Sequence, residues 1–158
     1  MTIESYILKA ANQIKNNDAT LADDSELVLT LNANTTYLIS ARVMFYSPLT
    51  PAFKYQFAFT GTVTDAVGWL QHQAPNPLSV SGMSQKLCTI FEAASLGATT
   101  YSIAGSSNAA YRGPVRLRLR LNVGASGGTF SFKWAQNVLT VADTTVYAGS
   151  YLIAEVPE

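Results

Sequence analysis

Hydrophobic and polar positions alternate with period two along most of the chain. In ELVLTL, Leu27, Leu29 and Leu31 fall on one side; in YLISARVMFY, Tyr37, Ile39, Ala41, Val43 and Phe45 do the same. In extended backbone, alternate side chains share a face, so each segment predicts a strand with one buried side. FKYQFAF is the clearest: Phe53, Tyr55, Phe57 and Phe59 face one way and Lys54, Gln56 and Ala58 the other, which predicts a half-buried strand. Further strands are predicted from Val63 to Leu70, Lys86 to Glu92, Thr99 to Ala104, Val115 to Val123, Thr129 to Ala135, Thr144 to Tyr147 and Ser150 to Val156.

Turn-forming clusters separate these segments: LNANTTY, SPLTP, QAPNPLSVSG, AGSSNAAYRGP and GASGG. Eight to ten short strands at this spacing predict an all-β fold, a single antiparallel β-sandwich or jelly-roll-like domain. Helical segments of crossover length are missing, which argues against a parallel α/β fold. The domain is expected over 19–158, preceded at 1–18 by an N-terminal arm or entering strand. There Ile3, Tyr6, Ile7, Ala10, Ala11 and Ile14 fit a helical stripe, but Asn16, Asn17 and Asp18 follow closely; pattern alone leaves helix and extended arm both open. Gln73 to Gly82, with Pro75 and Pro77, reads as a long loop, the kind of segment that often carries binding function.

The most unusual alternation is VRLRLRLNV. Val115, Leu117, Leu119, Leu121 and Val123 point to the core, leaving Arg116, Arg118, Arg120 and Asn122 on the other face. If GASGG closes a hairpin with TFSFKWA, Arg118 lies across from Lys133, and like charges opposite one another destabilise a sheet. Three readings exist: a solvated row, a phosphate-backbone contact or a protein interface. Readers of single strands combine basic grooves with aromatic platforms on the same face, and here Phe130, Phe132 and Trp134 point inward. The acidic residues Asp23, Asp24 and Glu26 are bunched in ADDSE, and guanidinium forks suit carboxylates. A protein interface formed by Arg116, Arg118, Arg120 and Lys133 with Asp23, Asp24 and Glu26 across a subunit boundary therefore ranks above nucleic acid.

Composition sharpens this reading. Basic and acidic residues each number 10, so no global field draws the molecule to nucleic acid or an anionic membrane. Charged residues make up 13%, against about 25% in ordinary domains, as on a surface that assembly covers. No apolar run reaches the roughly 20 residues that cross a bilayer, and MTIESYILKAANQIKNND lacks the features of a signal peptide. A protein outside the general secretory route, with no membrane partner and no direct nucleic-acid contact, is expected.

Catalytic chemistry finds little material. The lone His72 gives no His-dependent triad or multi-histidine zinc site, and the lone Cys88 reads as a small buried hydrophobe. Adjacent Asp23 and Asp24 point to opposite faces of a strand and do not pair as glycosidase carboxylates do; they fit a turn cap better. GASGG lacks the Gly-Lys-Ser/Thr ending of a phosphate loop. Asn34-Thr35-Thr36 matches a glycosylation acceptor but carries little weight without a secretory signal. No catalytic residue, metal site or cofactor is expected.

Two segments, Ala19 to Ser47 and Thr129 to Val156, carry a resemblance. Leu21, Asp23, Asp24 and Leu27, then Ala33, Asn34 and Tyr37, then Phe57 to Gly61, Trp134 to Asn137, Thr144 to Val146 and Ala148 to Leu152 stand in order. This arrangement resembles small β-rich structural proteins of tailed-bacteriophage virions. The resemblance implies a virion structural role, carries over no catalytic residue and favours an extended Tyr6 to Ile14. The resulting expectation is a capsid decoration or cement protein, located in the virion and assembled as a homotrimer against capsid or other virion proteins. The alternative is a tail or head-fibre module binding host carbohydrate, with Trp69, His72 and Tyr111 as its aromatic candidates; a wall-degrading enzyme comes third.

Overall fold

The computed structural model describes residues 2–73 and 86–158, and of residues 86–88 only their strand placement. The strands are β1 (Thr2–Leu8), β2 (Gln13–Lys15), β3 (Ala22–Leu31), β4 (Thr36–Tyr46), β5 (Phe53–Phe59), β6 (Val63–Gln73), β7 (Lys86–Glu92), β8 (Tyr101–Ile103), β9 (Gly113–Val123), β10 (Gly128–Gln136), β11 (Thr144–Val146) and β12 (Tyr151–Val156). One 3-10 turn, Ala93–Ser95, is the sole helical element among the described residues.

The strands form two antiparallel sheets packed as a β-sandwich. In the eight-stranded sheet the order is β1-β12-β4-β9-β6-β7, with β11 bridging β2 and β4; in the four-stranded sheet it is β3-β10-β5-β8. The ten segments read from alternation all form strands. The described count is twelve rather than eight to ten because β1 and β2 of the N-terminal segment join the large sheet. The helical stripe is overridden there by tertiary pairing, with β1 antiparallel to β12 from Thr2↔Val156 to Leu8↔Tyr151 across a register shift between Ile3 and Ser5. From residue 74 the expected Gln73 to Gly82 loop lies outside the described residues, as does the Cys88 side chain.

Aromatic contacts weld the sheets. Phe45 of β4 stacks on Phe53 of β5 with centroids 4.2 Å apart, and Phe57 of β5 meets Phe91 of β7 edge-on at 6.2 Å. Such pairs add about 0.5–1.5 kcal/mol each beyond the area they bury. β5 is not half buried: Gln56 and Ala58 on its outer side are each only 8% exposed. It runs inside the small sheet, where Lys133 of β10 stands opposite Gln56.

The expected β9–β10 hairpin does not form. β9 pairs with β4 and β6, while β10 pairs with β3 and β5 in the other sheet. Two strands with one apolar face each bury more by stacking face to face than by lying edge to edge, so 124–127 crosses between the layers. Backbone bonds fix that crossing: Gly124 N–H to Thr62 O (2.8 Å), Thr62 N–H to Ser126 O (3.0 Å) and Asn34 N–H to Gly124 O (2.8 Å). Arg118 is consequently not opposite Lys133; its neighbours are Ser40 and Trp69.

Candidate interaction surface

The inner sides of β4, β6, β9 and β12 are consumed by the core, so their alternate residues form the outer face of the large sheet. Registers lay that face out in rows. One runs Leu8, Tyr151, Arg42, Arg116, Gln71; the next Tyr6, Ile153, Ser40, Arg118, Trp69, Ile90; the third Glu155, Leu38, Arg120, Val67, Glu92. Directly opposite residues in antiparallel strands hold their Cβ atoms about 4.5–5.5 Å apart. Trp69 therefore stands beside Arg118, with Ile90 on its other side.

This face is apolar as well as basic. Ile3, Tyr6, Leu8, Val67, Trp69 and Ile90, each between 43% and 68% exposed, project from it. Elsewhere, exposed large hydrophobics gather at the loops around Leu49 and Val138 to Val141, where Val138 N–H bonds Pro51 O at 3.0 Å, and at Ile14 and Tyr111. Singly exposed apolar residues are ordinary; here they stand in two groups, on β1 and on β6 and β7, on either side of the arginines of β9. Two shallow depressions of about 200 and 190 Å³ flank Arg118, bordered by Trp69 and Ser40 on both sides and by Glu155 or Tyr151 at the far edges. Arg118 donates to Ser40 Oγ at 3.1 Å and so lies between them.

The face is also where charge is left over. Arg120 pairs with Asp65, both about half exposed, a contact that adds little stability in water. Arg42 and Arg116 have no carboxylate partner among the described residues, and Arg118 has only Ser40. Two carboxylates, Glu92 and Glu155, belong to this face, and neither makes a hydrogen bond or ion pair with the described residues.

The acidic cluster from ADDSE is used inside the chain. Asp24 is fully buried, with Oδ1 2.8 Å from Lys9 Nζ and accepting from the Glu26 and Leu27 amides at 3.0 and 3.1 Å, while Oδ2 accepts from Trp134 Nε1 at 3.1 Å. Asp24 thus belongs to β3 and makes the turn-like local bonds as well, at a bulge between Ser131 and Lys133 of β10. Glu26 reaches Lys9 Nζ at 3.2 Å and accepts from the Ala10 and Ala11 amides; the Ala10 amide first, then Lys9 and the Ala11 amide, hold its carboxyl below the usual range. Asp23, on the opposite face, lies 3.7 Å from Lys133. Lys15 sits 5.5 Å over the Trp134 ring and 3.3 Å from Asp18. The network clamps the β1–β2 segment to β3 and β10.

Of the aromatic candidates, Trp69 and Tyr111 are exposed, but His72 is buried with Nδ1 2.7 Å from Tyr55 Oη. Burial pushes the His72 imidazole down to about 4 and the Tyr55 phenol up. Alternation places Arg42 outward with no further information, yet its significance appears only when β4 is set beside β9. Lys9 carried no sequence signal, being one lysine between two short strands.

No protein-family model matches the chain, and no curated protein matches it. Among solved structures the chain is similar to one in "Structure of infectious bursal disease virus Gx strain", at 10% identity and a TM-score of 0.19, covering 96% of this chain and 40% of that one. A likeness at that score carries no argument about fold or function.

Proposed function

We propose that this chain is a non-enzymatic structural protein of a tailed-phage virion, a capsid decoration protein that assembles with copies of itself and cements the shell. The carrying observation is the outer face of the large sheet, where an arginine row lies between two groups of exposed apolar side chains, Ile3, Tyr6 and Leu8 on one side and Val67, Trp69 and Ile90 on the other. Its mechanism is burial. Completing the burial of those half-exposed side chains is worth roughly 5–9 kcal/mol per copy at about 1.5–3 kcal/mol for each full side chain. Two such faces together exceed most of the estimated 4–15 kcal/mol cost of association. The motifs that resemble those of virion proteins include Asp24 and Trp134, which here build the clamp that holds the N-terminal segment.

A second reading, a fibre module gripping host carbohydrate, is favoured by the exposure of Trp69 and Tyr111. An enzymatic reading draws no support from His72, engaged with Tyr55, or from Asp23 and Asp24, which serve separate lysines. The test is gold labelling of the protein in intact particles. Label spread over the shell is expected; label confined to the tail overturns the decoration reading.

A further inference from the structure

The proposed assembly leaves open what the arginines meet. We infer that their partners are Glu92 and Glu155 of a second copy of this chain, an inference that rests on the self-assembly reading above. Charge bookkeeping leads there. Asp24 and Glu26 are taken by Lys9, Asp23 by Lys133, Asp18 by Lys15 and Asp65 by Arg120. Glu4 accepts from Asn32, and Asp143 from Asn16. The acidic cluster is therefore committed within its own subunit, and the carboxylates left on the outer face are Glu92 and Glu155.

Geometry separates those acids from the arginines within one copy. Glu155 is on β12 and Glu92 on β7, with β4 between β12 and the β9 row on one side and β6 between β9 and β7 on the other. Each glutamate is two strand spacings, roughly 10 Å, from β9. A facing copy displaced by two strands places its glutamate-bearing strand over the neighbour's arginine strand. The same displacement keeps apolar residues in contact, because Trp69, Val67 and Ile90 occupy the intervening and edge strands. Direct superposition of β9 on β9 sets arginines against arginines and is disfavoured. Displaced by two strands, the copies overlap across about three spacings of about 4.8 Å along strands of up to about 35 Å, a contact of about 500 Å² and so smaller than the roughly 800 Å² per partner of a standard interface.

The experiment is sedimentation over a concentration series for the wild-type chain, Arg116→Glu/Arg118→Glu, and the fourfold exchange that adds Glu92→Arg and Glu155→Arg. Circular dichroism and Tm confirm folding of each. The wild type is expected to self-associate, the double variant to weaken at least about tenfold, equivalent to about 1.4 kcal/mol, and the fourfold exchange to recover most of that loss. A wild type that stays monomeric overturns the self-assembly reading itself. A wild type that assembles while the double variant keeps its affinity overturns only the pairing, as does a folded fourfold exchange that fails to recover.

Discussion

Lys9 Nζ lies 2.8 Å from Asp24 Oδ1, and neither side chain has any exposed surface. Two charges buried out of reach of bulk solvent are tolerable only while each keeps its partner, and Asp24 adds bonds from Trp134 and two amides. Removing one partner leaves an uncompensated charge, at about 3–5 kcal/mol.

Lys9→Met is accordingly expected to lower unfolding stability by about 3–5 kcal/mol in urea titrations. The double variant Lys9→Met/Asp24→Asn should cost less than the sum of the two singles, since the charges leave together. Strict additivity would show that the contact does not couple them.

Gly68 of β6 lies where any Cβ would run into the Arg118 carbonyl oxygen of β9. Gly68→Ala should destabilise by about 1–3 kcal/mol, the usual scale of overpacking, and should loosen the β6–β9 contact that sets Trp69 beside Arg118. Amide exchange at Arg118 and Arg120 checks it: faster exchange than in the wild type is expected.

Acid should weaken the fold in two stages. An unfolded histidine takes up a proton near 6.5, but burial holds folded His72 neutral down to about 4. Between those values the unfolded state binds the extra proton, so stability falls with falling pH, by up to about 1.4 kcal/mol per unit. Glu26, held below 4.5 by the Ala10 amide and Lys9, adds its own loss only below about pH 4.5. His72→Gln should flatten the slope between pH 6.5 and 4.5 and leave the lower stage in place; equal slopes in urea titrations of both proteins would contradict this.

Ile90 is 68% exposed and is not part of the buried core. Ile90→Ser should change Tm little, on the scale of about 0.5 kcal/mol for surface substitutions, while weakening self-association in sedimentation.

Period two made the strands legible because the buried face of each is written in alternate letters, as in VRLRLRL. Alternation names the face and not the neighbour. TFSFKWA and VRLRLRL read as a hairpin when joined by GASGG, yet they lie in opposite sheets. For the same reason, the outward arginines were legible but Trp69 beside Arg118 was not, because β6 and β9 are joined only through the sheet register. The bunching of Asp23, Asp24 and Glu26 was visible too, but its use depends on Lys9, which the chain brings back from the N-terminal segment.

The outer face of the large sheet is the centre of the account, and Trp69 reports on it directly. Trp69 is 43% exposed and the second tryptophan, Trp134, is 0% exposed, so acrylamide quenching of intrinsic fluorescence reads Trp69 almost alone. Followed from dilute to concentrated protein, quenching is expected to fall as copies cover the face. Quenching that stays constant while sedimentation shows assembly would contradict the claim, because the copies would then meet elsewhere.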